Sequence, residues 1–338
     1  MRFAIRAVVL LLAAAILWFF ANRLTAHKQV VRVVELADKV PYVSSSTFRI
    51  ATWNVSRCRG QAPGYDPDLG GPPHKRADRA RAMGAFLKDH AVDIVVLTEV
   101  DFGSSWSGGI DHATLIAESG GFGWMVQIHN EDIALPWWRV KGGMAVVSRF
   151  PVVAAEPVEL PNPNGWQQWI SGANNPWSRE QKRWAHLTKG ESMFGLRRTA
   201  AVDIQLPRGP KLRIAGFHWP SRSKKLQQAM AERALEIVGD SPYPVVLAGD
   251  FNLVPRAFRR PGTPDNALDL LMDSAHLKAS PPHHPPEQMW SFPAKKPAAA
   301  IDLVLMPADW PITETRAIPS LLSDHLPVYL DLRLSVAP

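Results

Sequence analysis

The segment Leu321-Leu-Ser-Asp-His-Leu-Pro-Val328 places a carboxylate and an imidazole, those of Asp324 and His325, side by side where a strand is predicted to begin. A second segment, Val245-Val-Leu-Ala-Gly-Asp-Phe-Asn252, has a similar design, because an apolar strand runs directly into an acid and an amide. Neighbouring acid, amide and imidazole groups suit a site that binds a metal ion and a phosphate group. Two such strand ends predict one polar site.

Short apolar runs alternate with turn signals and helical patterns from Phe48 onward. The ranges 76–90 and 224–238 carry apolar residues at helical spacing and are predicted helices. Predicted strands cover residues 48–53, 93–98, 143–148, 199–206, 211–217, 245–249, 301–306 and 328–334. The two strands 199–206 and 211–217 are separated by a Pro-Arg-Gly-Pro turn, which predicts a hairpin. Hairpins combined with helical crossovers favour antiparallel-rich sheets covered by helices over a doubly wound nucleotide-binding fold.

Polar side chains mark the ends of many of these strands. In chain order they are Asn54, Glu99, His218, Asp250, Asn252, Asp302, Asp324 and His325. The ends of central strands in a layered α/β fold converge on one crevice, so these side chains are expected to line one pocket. The set is rich in oxygen donors, which favours Mg²⁺ or Mn²⁺ over zinc. A divalent ion beside two imidazoles meets the needs of phosphodiester hydrolysis: charge neutralisation, activation of a water and protonation of the leaving oxygen.

The ordered set of motifs resembles the endonuclease/exonuclease/phosphatase superfamily over roughly residues 48–334. That superfamily includes pancreatic-type deoxyribonuclease, abasic-site endonucleases, neutral sphingomyelinases and inositol polyphosphate 5-phosphatases. The resemblance implies an α/β fold: a four-layered α/β sandwich with two facing mixed β-sheets flanked by helices.

The resemblance also implies a role for each metal-side and water-side residue. Glu99 would be the direct metal ligand, and Asn54 and Asp324 would assist it. Asp250 would orient or deprotonate the attacking water, and Asn252 would hold that residue or the phosphate.

The implied phosphate-side residues are the two histidines, an acid and an arginine. His325 would contact the phosphate or transfer a proton, and Asp302 would fix its tautomer. His218 occupies a position that is His in deoxyribonuclease-like and sphingomyelinase-like members and Tyr in abasic-site endonucleases, which argues against simple abasic-site repair. Arg198 lies in a segment where relatives often carry a phosphate-binding arginine, and Arg197 is the competing choice.

The N-terminus carries a localisation signal. Arg2 and Arg6 precede the uncharged, largely apolar run Ala7–Ala21. We predict that residues 1–26 are an uncleaved signal-anchor transmembrane helix, residues 27–47 a tether and residues 48–338 the catalytic domain, placed outside the cytoplasm. A cleaved signal peptide and a buried helix are the alternatives.

Composition and net charge narrow the classes of partner that the protein is expected to bind. The chain has 338 residues and a formal net charge of +7, which favours nucleic acid or phospholipid headgroups as partners. Its single cysteine excludes an intrachain disulfide and a cysteine-built zinc site. The Trp-rich range 160–194 suits stacking on nucleobases, contact with a lipid headgroup interface, or simple packing over one end of the fold.

These observations together predict a membrane-tethered, Mg²⁺-dependent phosphodiesterase that acts on nucleic acid as an endonuclease. A phospholipid or sphingomyelin phosphodiesterase and an inositol-phosphate phosphatase are the alternatives. A catalytically inactive binding domain is a further alternative, although Glu99, Asp250 and His325 are all present. No obligate protein partner is indicated.

Overall fold

The computed structural model describes residues 2–26, 30–36, 47–61, 70–135, 138–161, 197–207, 210–221, 223–280 and 284–333. Its α-helices are α1 (Arg2–Ala26), α2 (Pro73–Asp89), α3 (His112–Ser119), α4 (Lys224–Gly239) and α5 (Ala267–Ser274). Its strands are β1 (Val31–Glu35), β2 (Thr47–Asn54), β3 (Ile94–Asp101), β4 (Trp124–Leu135), β5 (Trp138–Ser148), β6 (Val152–Glu159), β7 (Arg198–Gln205), β8 (Lys211–His218), β9 (Val245–Asp250), β10 (Leu277–Lys278), β11 (Asp302–Pro307), β12 (Ile312–Ala317) and β13 (Val328–Arg333).

The described strands form two mixed sheets. One has the order β1-β4-β5-β3-β2-β13-β12, and the other has the order β10-β11-β9-β8-β7-β6. Each sheet contains one parallel pair, β2 with β3 and β8 with β9, and the other pairs are antiparallel. Helices α2 and α4 connect the two parallel pairs, as a parallel connection requires. Each of the four strands in these pairs ends at a polar residue: Asn54, Asp101, His218 or Asp250.

Three apolar clusters separate four layers. Ile50 and Val96 of one sheet share a cluster with Ile214 and Val304 of the other, so the sheets pack face to face. Successive residues of a strand point to opposite faces of the sheet. The residues that alternate with those of the central cluster therefore point towards the helices. The buried side chains of α2 and α3 pack with β2 and β3 on one outer face, and those of α4 and α5 pack with β8, β9 and β11 on the other. The predicted α/β sandwich of two facing mixed sheets is confirmed.

Local signals explain where the helices begin. Pro73 stands in the first turn of α2, where the missing amide proton costs no helical hydrogen bond. Ser223 caps α4 by accepting a hydrogen bond from the Leu226 amide. The predicted helices 76–90 and 224–238 match α2 and α4, and the predicted hairpin 199–206 with 211–217 matches β7 and β8.

The predicted tether contains a strand. Val31–Glu35 forms β1, which pairs antiparallel with β4 from Val31↔Ile128 to Glu35↔Trp124. Three valines in this five-residue segment give it high β-propensity, and β4 offers it a free edge. The first sheet therefore begins before Phe48, the predicted start of the domain.

Helix α1 follows the predicted anchor closely in position, and its side chains from Arg2 to Trp18 are exposed. Among the described residues, no helix is both long enough and apolar enough to cross a membrane, so the predicted transmembrane helix is not supported. Most of the Trp-rich range 160–194 lies outside the described residues.

Candidate active site

The register of the sheets brings the predicted polar strand ends together. In the second sheet, His218 pairs with Asp250 across β8 and β9, and Asp250 pairs with Asp302 across β9 and β11. In the first sheet, Asn54 at the end of β2 pairs with Thr98, the residue before Glu99. The two sheets therefore present their polar ends at the same edge of the sandwich.

Backbone irregularities aim two of these strand ends. The β3–β5 ladder shifts register between Leu97 and Val100, and Glu99 between them has a φ of 53°. A non-glycine residue in this left-handed region costs about 1–3 kcal/mol, a strain that is common at functional sites. Gly249, before Asp250, has a φ of 149°, and a Cβ there would lie 1.8 Å from the Phe217 carbonyl oxygen. Only glycine fits that close approach of β8 and β9.

Asn54 links the two sheets through its side-chain amide. Its Nδ2 donates to Glu99 Oε1 and to Asp250 Oδ2, each at 3.1 Å. Its Oδ1 accepts from the Ser56 backbone amide at 3.0 Å. Asn54 therefore supports two carboxylates as a hydrogen-bond donor, and its Oδ1 retains a second lone pair beside the Ser56 contact.

Asp250 lies at the centre of the cluster and is 2% exposed. Its Oδ1 accepts from the Asn252 backbone amide at 2.9 Å, and the Asn252 side chain donates to the Trp219 carbonyl at 2.8 Å. Burial, followed by the nearby Asp302, raises the pKa of Asp250 to about 7. This carboxylate is therefore poised to gain or lose a proton near neutral pH.

Glu99 and Asp324, the two acids predicted on the metal side, differ in the direction of their pKa shifts. Burial opposes ionisation of Glu99, but His218, Asn54 and Arg59 together lower its pKa below the ordinary value. Burial raises the pKa of Asp324. Glu99 is thus ionised more readily than Asp324.

His218 faces both Glu99 and Asp250. Its Nε2 lies 3.9 Å from Glu99 Oε1 and 3.8 Å from Asp250 Oδ2. Burial, although partly offset by Glu99, lowers the pKa of His218 to about 4, so the imidazole is neutral at neutral pH. Arg197 Nη1 donates to the His218 carbonyl at 2.7 Å and adds a positive charge nearby that also lowers this pKa.

His325 has the opposite character. Its Nδ1 lies 2.8 Å from Asp302 Oδ2, which also accepts from Ser291 Oγ at 2.6 Å. Burial opposes its charge, but Asp302 and the nearby Asp250 raise the pKa of His325 to about 10. The ring packs against Phe292 at a centroid distance of 4.6 Å, and Nε2 points towards Asp250 Oδ2 at 4.0 Å. The site therefore holds one cationic and one neutral imidazole.

The residues fit a divalent cation. Ligand atoms of Asp250, Asp302 and His325 lie within 4.8 Å of one another, but the cationic His325 has no lone pair for a metal, so the carboxylates would hold the ion. Asp302 is fully buried, and its Oδ1 has no hydrogen-bond partner among the described residues. Glu99 and Asp324 add further carboxylates beside this group, and Glu99 lies close enough to Asp324 to raise its pKa. Buried carboxylates at this density require positive charge, which a divalent ion would provide.

Arg198 is held by protein groups. Its Nε donates to Glu159 Oε1 at 3.0 Å and its Nη1 to the His129 carbonyl at 3.3 Å. The side chain is almost fully buried. Its competitor Arg197 is the residue that contacts His218.

Two arginines that sequence reasoning did not single out also border the acids. Arg59 Nη2 lies 3.7 Å from Glu99 Oε2, and its charge helps to lower the pKa of Glu99. Arg57 donates to Glu131 Oε2 at 2.8 Å and acts on Glu99 in the same direction. Both follow Asn54 closely in sequence, and that proximity is the signal that would have found them.

The fold and this cluster together define a phosphoester hydrolase. The Endonuclease/Exonuclease/phosphatase family matches residues 51–325, and the chain belongs to this family. Its members are metal-dependent phosphoric ester hydrolases, and this chain is therefore an enzyme of that class. No curated protein sequence matches the chain significantly.

Three solved structures illustrate the shared fold. An endonuclease/exonuclease/phosphatase from Beutenbergia cavernae is 22% identical, covers 86% of this chain and 72% of its own, and has a TM-score of 0.53. A mannosyl-6-phosphatase from Bacteroides thetaiotaomicron is 15% identical, with coverages of 84% and 99% and a TM-score of 0.56. A humanized D. rerio TDP2 is 13% identical, with coverages of 86% and 100% and a TM-score of 0.51.

Proposed function

We propose that this enzyme is a Mg²⁺- or Mn²⁺-dependent phosphodiesterase that cleaves nucleic acid. The observation that supports this most is the pair of unlike imidazoles, His218 and His325, which both face Asp250 within 4 Å. A neutral imidazole accepts a proton and a cationic one donates a hydrogen bond or a proton, so the pair supplies both functions of diester cleavage.

Each residue of the cluster has a defined task in this proposal. Asp250 orients the attacking water, and its pKa of about 7 matches acceptance of that water's proton, with the neutral His218 beside it as a second acceptor. The backbone amide of Asn252 holds the Asp250 carboxylate in position. His325, kept cationic by Asp302, donates a hydrogen bond from Nε2 to a phosphoryl oxygen as negative charge develops and gives its proton to the leaving oxygen.

The metal would be held on the carboxylate side. Glu99 is the proposed direct ligand, Asp324 assists it, and Asn54 fixes Glu99 by hydrogen bonding. When bound, a divalent ion neutralises phosphoryl charge and lowers the pKa of water. Oxygen donors predominate among these residues, which favours Mg²⁺ or Mn²⁺.

Nucleic acid is favoured because cations border the site. Arg57 and Arg59 lie close enough to Glu99 to lower its pKa, and the chain carries a net charge of +7. Phosphodiester backbones bind such groups through electrostatic attraction. Arg197, at the His218 carbonyl, replaces Arg198 as the proposed phosphate-contacting arginine, since Arg198 is already held by Glu159.

A phospholipid phosphodiesterase tethered to a membrane is the second candidate. The observation that favours it is the exposed apolar surface of α1, where Phe3 is 87% exposed and Leu10 is 70% exposed. Such a surface suits contact with lipid, and an extracytoplasmic catalytic domain remains part of this proposal. A reporter fused to the C-terminus and active only outside the cytoplasm tests that location.

A substrate panel distinguishes the candidates. Full-length protein is incubated with plasmid DNA, single-stranded DNA, RNA, sphingomyelin, phosphatidylcholine, inositol phosphates and mannose 6-phosphate, each with Mg²⁺ and with chelator. Metal-dependent cleavage of nucleic acid that is lost in Asp250→Asn supports the first candidate. Cleavage of the lipids alone supports the second, and cleavage of the monoesters alone contradicts both.

A further inference from the structure

An aromatic ledge formed by Trp106, Trp138 and Arg57 borders the catalytic cluster. The rings of Trp106 and Trp138 meet edge to face, with centroids 6.1 Å apart and an interplanar angle of 63°. The Arg57 guanidinium carbon lies 5.2 Å from the centre of the Trp106 ring. Trp138 is 41% exposed although it belongs to a strand. Indole surface that is exposed at a catalytic edge is available to a ligand.

The loop beneath the ledge is held by many hydrogen bonds. Asp101 Oδ1 accepts from the amides of Gly103 and Ser104 at 2.8 and 2.7 Å. Ser105 Oγ accepts from the Arg139 amide at 2.8 Å, which ties the Trp106 loop to the strand that carries Trp138. These contacts fix the backbone beside both indoles before any ligand arrives, and a preorganised surface binds at lower entropic cost.

The ledge begins beside the metal-side acid. A Cβ on Gly142 would lie 2.8 Å from the Val100 carbonyl oxygen and 3.8 Å from Arg57 Nη1, so this guanidinium lies close to the residue that follows Glu99. Arg57 also lowers the pKa of Glu99, which shows that its charge reaches the site. From Glu99 the surface runs outward through Arg57 and Trp106 to Trp138.

The charges beside the two indole rings determine which class of ligand fits this surface. A choline headgroup would bind indole through its positive charge, but Arg57 already places a cation over Trp106. Arg139, directly after Trp138, adds a second guanidinium. Each of the two cations also contacts an acid: Arg139 contacts Asp132 at 3.3 Å and Arg57 contacts Glu131 at 2.8 Å. A neutral ring with an anionic phosphate on either side complements this surface.

We propose that the ledge stacks a nucleobase next to the scissile phosphate of single-stranded nucleic acid. This subsite rests on the proposed nucleic-acid phosphodiesterase activity and adds a reason for preferring unpaired strands, whose bases are free to stack. Trp138 is the principal contact, and Trp106 and Arg57 support it.

Binding rather than turnover tests this subsite. Fluorescence anisotropy compares a short labelled oligothymidylate with an abasic strand of equal length and charge, on full-length wild type in the absence of added metal. Wild type is expected to bind the thymidylate more tightly. Trp138→Ala is expected to weaken thymidylate binding about tenfold while leaving the abasic strand unchanged, and Trp138→Phe to recover most of the loss.

Leu270→Ala, which removes an apolar side chain exposed to a similar degree on α5, is the matched control and is expected to bind like wild type. Equal wild-type affinity for both strands, or an equal loss for both strands in Trp138→Ala, would overturn the subsite. Binding of sphingomyelin vesicles that depends on Trp138 would also overturn it in favour of a lipid headgroup. Failure of the activity itself appears separately, as absence of cleavage products.

Discussion

The Asp302–His325 pair allows the most detailed prediction. Asp302→Asn retains the shape and a hydrogen-bonding group at Nδ1 but removes the negative charge that helps to raise the pKa of His325 from 6.5 to about 10. At about 1.4 kcal/mol per pKa unit this shift corresponds to at most about 5 kcal/mol of preference for the cation. Asp302 makes the two largest contributions that raise this pKa, and burial opposes them, so we expect the substitution to remove the whole shift although Asp250 and Asp324 remain.

The consequence is a neutral imidazole in the variant at neutral pH. We expect the rate at pH 7 to fall about 100-fold, and the alkaline limb of the pH profile of kcat/KM to move to lower pH. NMR titration of the His325 ring measures the pKa change directly. Ser291→Ala is the matched control, because it removes only a neutral donor to the same Asp302 oxygen. An unchanged His325 titration in Asp302→Asn would refute the reasoning.

Three further predictions concern the metal, acid stability and the fold. Glu99→Gln should raise the Mg²⁺ concentration for half-maximal activity at least about tenfold, as a metal titration would show, and an unchanged titration would exclude Glu99 as a ligand. Burial lowers the pKa of His129 to about 3, so the unfolded chain binds a proton that the folded protein does not, and His129 alone should lower stability by about 1.4 kcal/mol per pH unit between pH 6.5 and about 3. Urea unfolding of His129→Phe should lack this loss; an identical pH dependence would contradict the assignment. Asp331→Ala, which breaks two 2.7 Å bonds to the partly buried Arg49, should cost about 2 kcal/mol of unfolding free energy, and a loss below ~0.5 kcal/mol would show that the pair contributes little.

The sequence predicts the elements that depend on local pattern. Apolar strands that run into Asp250 and His218 are visible in the sequence, and the sheet register then pairs these residues directly. The helices of the two parallel connections are equally visible from their spacing and their starting residues. These features follow from hydrophobic periodicity and from short-range capping, which a single sequence contains.

The features that the sequence does not predict depend on tertiary contacts. Ser56, Arg57 and Cys58 all have positive φ, although no glycine or asparagine among them signals a left-handed turn. That turn directs Arg57 and Arg59 toward Glu99. The role of Asn54 as a donor is likewise set by its neighbours. Its side-chain nitrogen faces Glu99 and its oxygen faces the Ser56 amide, and the sequence alone does not specify this orientation.

The ion pair between Arg198 and Glu159 also depends on tertiary structure. The two residues are directly opposite each other on β6 and β7, and the cross-strand pair forms only when this register is reached. Arg197 and Arg198 are alike in sequence, and only the register shows that Arg198 is the one that pairs with Glu159.

The most direct test of the central claim is metal-dependent diester hydrolysis by full-length protein. After chelation and dialysis, the initial rate on bis(p-nitrophenyl) phosphate is measured with no metal, with Mg²⁺ and with Mn²⁺, for wild type and for folded Asp250→Asn. Wild type should be inactive without metal and regain activity on its addition, and Asp250→Asn should remain at least about 100-fold slower. Chelator-resistant hydrolysis, or equal rates for wild type and Asp250→Asn, would contradict the proposed site.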